Sequence, residues 1–114
     1  DRALSDQLRQ AADRAGVSMN TVLQGAWAVL LSGWSGDADI VFGATRSGRA
    51  SSIADAANVV GCLINTLPVR VQVDPAAAVA DWLLQLRERE RAVRPFEQSA
   101  LMEVQGWSRI GPGQ

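Results

Sequence analysis

The stretch DIVFGATRSGRASS, residues 39–52, sets a glycine-spaced loop with arginine and hydroxyl side chains directly after an apolar, strand-like run. Gly43 and Gly48 stand five positions apart, the spacing of the phosphate-cradling loop G-x-x-x-x-G-K-[ST]. In that loop the lysine reaches the β/γ-phosphates and the following hydroxyl holds magnesium. Here the two positions are Arg49 and Ala50. Arginine brings a planar fork in place of a compact ammonium, and alanine offers a metal no ligand. A dinucleotide loop fits no better, because Ala44 and Thr45 follow Gly43 and the third glycine is missing. The pattern argues against a nucleotide. What remains is a glycine turn that lets backbone approach closely, with Arg49 able to fork onto a phosphate or a carboxylate.

A second candidate site is Asn65-Thr66, two hydrogen-bonding side chains that interrupt an apolar run. Such a pair either satisfies backbone groups at a strand end or presents an amide and a hydroxyl to a ligand. The rest of the composition narrows the chemistry. Histidine is absent, which removes the commonest general base and the commonest metal ligand together. Cys62 is the one cysteine, so neither an internal disulfide nor a thiolate cluster is expected, and no metal site is expected. Its flanks, NVVGCLINTLPV, predict a small buried hydrophobe rather than a reactive thiol. Twelve acids against eleven bases, all arginine, argue against nucleic acid as a partner. No apolar run suits a membrane span and no signal-peptide pattern opens the chain, so a soluble cytoplasmic protein is expected.

The elements that must position these residues follow from periodicity. Leu4, Leu8, Ala11, Ala12 and Ala15 predict a helix over residues 3–15, stopped at Gly16. Ser18 can cap a second helix whose broad apolar face, Val22, Leu23, Ala26, Trp27, Leu30 and Leu31, places it in a core, with Gly33 and Gly36 ending it. ADIVFGAT reads as a strand buried on both faces, expecting partners on both edges. Residues 46–58 read as loop with a short helix around residues 53–57. CLINTLPVRVQV predicts a second strand, broken or shifted at Pro68. Beyond the proline, Val69, Val71 and Val73 alternate with Arg70 and Gln72 on a wet face. After Asp74-Pro75 a third helix turns Val79, Trp82, Leu83, Leu86 and Val93 inward, and RERER, residues 87–91, reads as a solvated face of alternating charge. Pro95 stops or kinks it, SALMEVQGW offers one more short helix, and RIGPGQ ends as loop. Trp27, Trp34, Trp82 and Trp107 read as core or interface anchors. The order predicts an α/β layered piece with too little sheet for its helices, half of something larger.

Read together, VFGATRSGR, VVGCLINTLPVRV and RPFEQSALMEVQGWS resemble the C-terminal lobe of a nonribosomal peptide synthetase condensation domain. The family segment [VI]-G-x-F-[VI]-N-T-x-P-x-R is matched from Val60 to Arg70, departing only at Leu63, where the family has phenylalanine. A later family motif has a Pro-Phe-Glu core. Pro95-Phe96-Glu97 matches it literally, and Ala100-Leu101 is the alternative register for its Pro-Phe pair. The resemblance covers residues 3–108. It implies a two-layer α/β sandwich, one lobe of a chloramphenicol acetyltransferase-like fold, with a mixed sheet covered by helices. Residues 1–114 would then be a partial condensation domain without the N-terminal lobe and the final strands.

The resemblance also implies amide formation, in which the amine of an acceptor aminoacyl thioester attacks a donor acyl thioester. Each would be carried by phosphopantetheine on a donor or acceptor peptidyl carrier protein, with no cofactor bound directly by this chain. The family's two catalytic histidines, followed after three residues by Asp-Gly, belong to the N-terminal lobe, so the parent is expected to be an enzyme and this chain alone inactive. Asn65, Thr66 and Ser47 become candidates for the substrate tunnel. Arg49 and Arg70 become candidates for an interlobe ion pair or for the pantetheine phosphate, with the bridge favoured for Arg49 and a solvent-side place for Arg70. Epimerisation domains and acyltransferases of the same superfamily share the fold, and Asn65-Thr66 favours condensation over epimerisation. A noncatalytic module gripping a carrier protein is the alternative of another class.

Overall fold

The computed structural model describes residues 1–49, 55, 58 and 60–108. The helix expected around residues 53–57 and the terminal loop RIGPGQ lie outside the described residues, Asp55 aside. The element order is α1 (Arg2–Ala15), α2 (Met19–Ser35), β1 (Asp39–Arg46), β2 (Asn65–Gln72), α3 (Val79–Val93), a 3₁₀ turn (Arg94–Phe96) and α4 (Leu101–Trp107). Two compact units divide the chain, one of Asp1–Val41 with Arg70–Arg91, the other of Phe42–Val69 with Ala92–Gln114.

In the first unit, local chemistry sets the helix ends. Asp1 caps α1 by accepting from the Ala3 N–H, and Gly16 closes it in the left-handed conformation with φ 66°. Ser18 caps α2 through the Thr21 N–H, and Gly36, φ 78°, ends it. Gly33 does not end α2, contrary to expectation, but lies within it. The core joins Ala12, Val17 and Leu83, with Ala15, Val22, Trp82 and Leu84 against it.

The face that α2 buries is the main departure from the sequence reading. Its buried residues are Thr21, Gln24, Gly25 and Ala28, one helical stripe of small and polar side chains. At Gly25 an added Cβ would meet Leu83 Cδ2 at 2.9 Å and the Trp82 ring at 3.0 Å, so the absence of a side chain is what lets α3 come close. The large apolar residues Leu23, Trp27, Leu30 and Trp34 are exposed instead, Trp34 to 74%. Val79 and Val93 of α3 are exposed as well; Leu83 and Leu86 are its buried pair.

RERER is not simply a solvated face. Arg87 donates to the Gly16 carbonyl at 2.6 Å, and Glu90 accepts from the buried Thr21 hydroxyl at 2.9 Å and from Asn20 at 3.4 Å. Thus α3 closes the C-terminus of α1 with a cation and the N-terminus of α2 with an anion, each matching the partial charge of its helix end.

The strands pair antiparallel, since Val73 meets Ala38 at one end and Thr45 meets Thr66 at the other. β1 is not buried on both faces: Ile40 is its one buried residue and Val41 is 48% exposed. β2 runs through Pro68 unbroken, with Leu67 and Val71 buried on one face. In a two-stranded sheet each strand has an edge without a partner, where a missing N–H removes no ladder bond. Cys62 precedes β2 and is exposed, correcting the expectation of burial.

Candidate functional site

The opening glycine pattern is explained by close backbone approach. Gly43 lies in β1, where a Cβ would stand 3.1 Å from Thr66 Cγ2 on the facing strand. Gly48 is buried with φ 69°, and a Cβ there would collide with the Leu63 carbonyl. The loop therefore packs its backbone directly onto the segment that enters β2. Ser47 Oγ accepts from the Arg49 N–H at 3.4 Å, and Arg49 donates from Nη2 to the Gly61 carbonyl at 3.0 Å. The arginine side chain thus joins the turn at residues 47–49 to the segment that enters β2.

Asn65 opens β2, half-buried, and all of its amide is engaged. Nδ2 donates to the carbonyls of Glu97 at 2.9 Å and Ser99 at 2.7 Å, while Oδ1 accepts from the Thr66 N–H at 2.9 Å. Thr66 sets its hydroxyl 3.3 Å from that of Thr45 on β1. Asn65, Thr66, Ser47 and Arg49 thus belong to the second unit, and Arg70 to the first.

Arg70 is held within the chain. It makes a forked pair with Asp39 across the strands, Nε to Oδ1 at 2.9 Å and Nη2 to Oδ2 at 2.5 Å. The hydrogen bond from Arg70 holds the Asp39 carboxyl below its usual value of 3.8, with the nearby charges of Arg70 and Arg89 acting the same way. Both side chains keep substantial exposure, 67% and 44%, so the pair is a surface register lock rather than a buried charge site. A cavity of about 170 Å³ in the first unit is lined by Val71, Gln72, Trp82, Leu86 and Arg89 among others, and none of the five candidates lines it. Among the described residues no group of three acidic or cysteine side chains could hold a metal ion, and no helix is long and apolar enough to cross a membrane.

Sequence reasoning missed the partners. Asp39 was legible in principle, as an acid diagonal to an arginine once the two strands are paired. The carbonyls of Glu97 and Ser99, 32 and 34 residues from Asn65, carry no side-chain signal that would announce them.

Comparison with known proteins gives this arrangement a context. A family model described as Condensation domain matches residues 1–110. One of the linear gramicidin synthase proteins of Brevibacillus parabrevis is 44% identical over 110 residues, covering 96% of this chain and 2% of that protein. Chondramide synthase cmdD of Chondromyces crocatus is 35% identical over 109 residues, with 96% of this chain and 3% of that protein covered. Among solved structures, that of the first condensation domain of the CDA synthetase shares the fold at a TM-score of 0.73 and 22% identity, over 87% of this chain and 22% of that one. The crystal structure of holo T3CT superposes with a TM-score of 0.77 and 28% identity, over 85% of this chain and 23% of that one. The chain thus spans 2–3% of the length of these two synthases and under a quarter of either solved chain.

Proposed function

This chain belongs to the condensation-domain family and carries part of its chloramphenicol acetyltransferase-like α/β fold, and we propose that it is a piece of the C-terminal lobe of such a domain in a nonribosomal peptide synthetase. Amide-bond formation is the general function of the family. The parent protein would join a donor acyl thioester to the amine of an acceptor aminoacyl thioester, each delivered by phosphopantetheine on a peptidyl carrier protein. The observation that carries this reading is the segment Val60–Arg70, which keeps seven of the eight positions the family motif specifies and contains the start of a strand opened by Asn65 and Thr66.

The chain contributes walls and not the reacting base. It contains no histidine, and the family's catalytic pair of histidines belongs to the other lobe. Ser47, Asn65 and Thr66 are proposed to lie along the tunnel through which the pantetheine-bound substrates meet. Arg49 is proposed to fix the interface with the N-terminal lobe, since a planar guanidinium suits interface ion pairs and this one is ordered on the Gly61 carbonyl. For Arg70, the pair with Asp39 supports a role within this chain rather than an interlobe one.

The test is reconstitution. The parent synthetase, given two loaded carrier proteins, is expected to form one amide product per turnover, and the 114-residue chain alone to form none above the buffer rate. Product from the isolated chain would overturn the assignment of the chemistry to the other lobe. For Arg49, affinity for phosphopantetheinylated and unmodified carrier proteins is measured in wild type, Arg49→Lys and Arg49→Ala. The bridge reading expects both affinities to change little. A loss confined to the modified carrier would assign Arg49 to the pantetheine phosphate instead.

A further inference from the structure

In the link between the 3₁₀ turn and α4, residues 97–100, the backbone carbonyls of Glu97 and Ser99 are taken up by no helix or strand. Both are taken by one side chain, the Asn65 amide at the start of β2. An amide NH₂ has two donors, so in this geometry Asn65 has none left for a third acceptor, and its Oδ1 is engaged by the Thr66 N–H. The helix that the link introduces has little support of its own. α4 has seven residues, below the length at which a helix is stable by itself, and its N-cap, Ala100, supplies no side-chain bond.

From these contacts we infer that Asn65 is a positioning residue: it clamps the 97–100 link onto β2, fixes where α4 begins, and acts on the proposed amide-forming reaction through that segment rather than by donating to substrate. The inference rests on the reading of the parent as a condensation enzyme, but the clamp itself has a readout that does not. It also divides the Asn65-Thr66 pair. The asparagine is occupied with backbone. The threonine hydroxyl, whose side-chain contact among the described residues is a long 3.3 Å one to Thr45, is the one of the two able to turn toward a ligand.

The experiment uses the parent synthetase as wild type, Asn65→Ala, Ala100→Ser and the double variant Asn65→Ala/Ala100→Ser. Backbone hydrogen exchange of the peptides covering residues 94–107 and single-turnover amide formation are both measured. Asn65→Ala is expected to speed exchange of 97–104 roughly tenfold or more, the equivalent of losing at least one ordinary hydrogen bond, and to slow turnover. Ser at position 100 supplies the N-cap that Ala100 lacks. In the double variant it is expected to recover part of the protection and, with it, part of the turnover. Unchanged exchange in Asn65→Ala would overturn the clamp. Recovered protection without recovered turnover would overturn the indirect role and return Asn65 to direct contact with substrate. A parent that makes no amide would sink the condensation reading while the exchange arm still decides the clamp.

Discussion

Two glycines of α2 offer a controlled measurement of how tightly that helix packs on α3. Gly25 and Gly33 are both interior to the helix, so replacing either by alanine gains about 1 kcal/mol of helix propensity. At Gly33 nothing lies within 4 Å of the new Cβ, and the gain stands alone. At Gly25 the methyl meets Leu83 Cδ2 at 2.9 Å and the Trp82 ring at 3.0 Å and 3.3 Å. Those atoms are side-chain ends, which would ordinarily give way. Here Leu83 is in the core, and the Trp82 indole is tethered by its N–H to the Gln72 carbonyl at 2.7 Å. Overpacking of this kind costs about 1–3 kcal/mol, so Gly25→Ala is expected between neutral and about 2 kcal/mol destabilising. The difference between the two variants, about 1–3 kcal/mol, isolates the packing term. For a chain of this size it corresponds to a gap of roughly 4–20 °C in melting temperature, readable by circular dichroism. If Gly25→Ala stabilises as much as Gly33→Ala, α2 does not pack on α3 through its small-residue face and the account of the first unit fails.

The remaining expectations are simpler. Gly48→Ala should destabilise by about 2 kcal/mol or more, because a left-handed φ of 69° costs an L-residue roughly 1–2 kcal/mol before the collision with Leu63 is added; thermal unfolding measures it, and a neutral result would remove the glycine's conformational role. Asp39 has its folded pKa depressed by Arg70, so the stability it contributes is present above its unfolded value near 3.8 and is lost as pH falls through the lower folded value. The stability difference between wild type and Asp39→Asn should therefore shrink on acidification below that range, and a difference independent of pH would refute the pair. Trp34, exposed to 74% beside Trp27 and Leu30, should promote self-association of the isolated chain. Trp34→Ser combined with Leu23→Ser is expected to lower the apparent mass in analytical ultracentrifugation, and an unchanged mass would show the stripe is not the contact.

Helix ends were the most legible part of the structure, because caps are local: Gly16, Ser18 and Gly36 act through neighbours a few residues away. The alternation of Val69 and Val71 with Arg70 and Gln72 was legible for the same reason, although β2 ends at Gln72, before Val73. The buried face of α2 was not, since hydropathy marks its large apolar side chains while the packing within this chain selects the face on which backbones come closest. Likewise RERER reads as solvated from its composition, whereas Arg87 and Glu90 are committed to groups 71 and 69 residues away. The motif picked out Asn65 and Thr66 as important, but the use of the asparagine depends on carbonyls that every residue possesses.

The distance between α3 and the helix ends it closes has a consequence for the order in which the chain is made. Gly16 is synthesised 71 residues before Arg87, and Thr21 is synthesised 69 residues before Glu90. At roughly 5–20 residues per second of translation, that interval lasts on the order of 4–14 s. Throughout it the residues of α1 and α2 have been made while the charged groups that close their ends have not, and Gly25 has no Trp82 to face. Two helices of 14 and 17 residues are marginal by themselves, so a nascent chain paused inside this window would carry the pair unlatched and open to ribosome-bound chaperones.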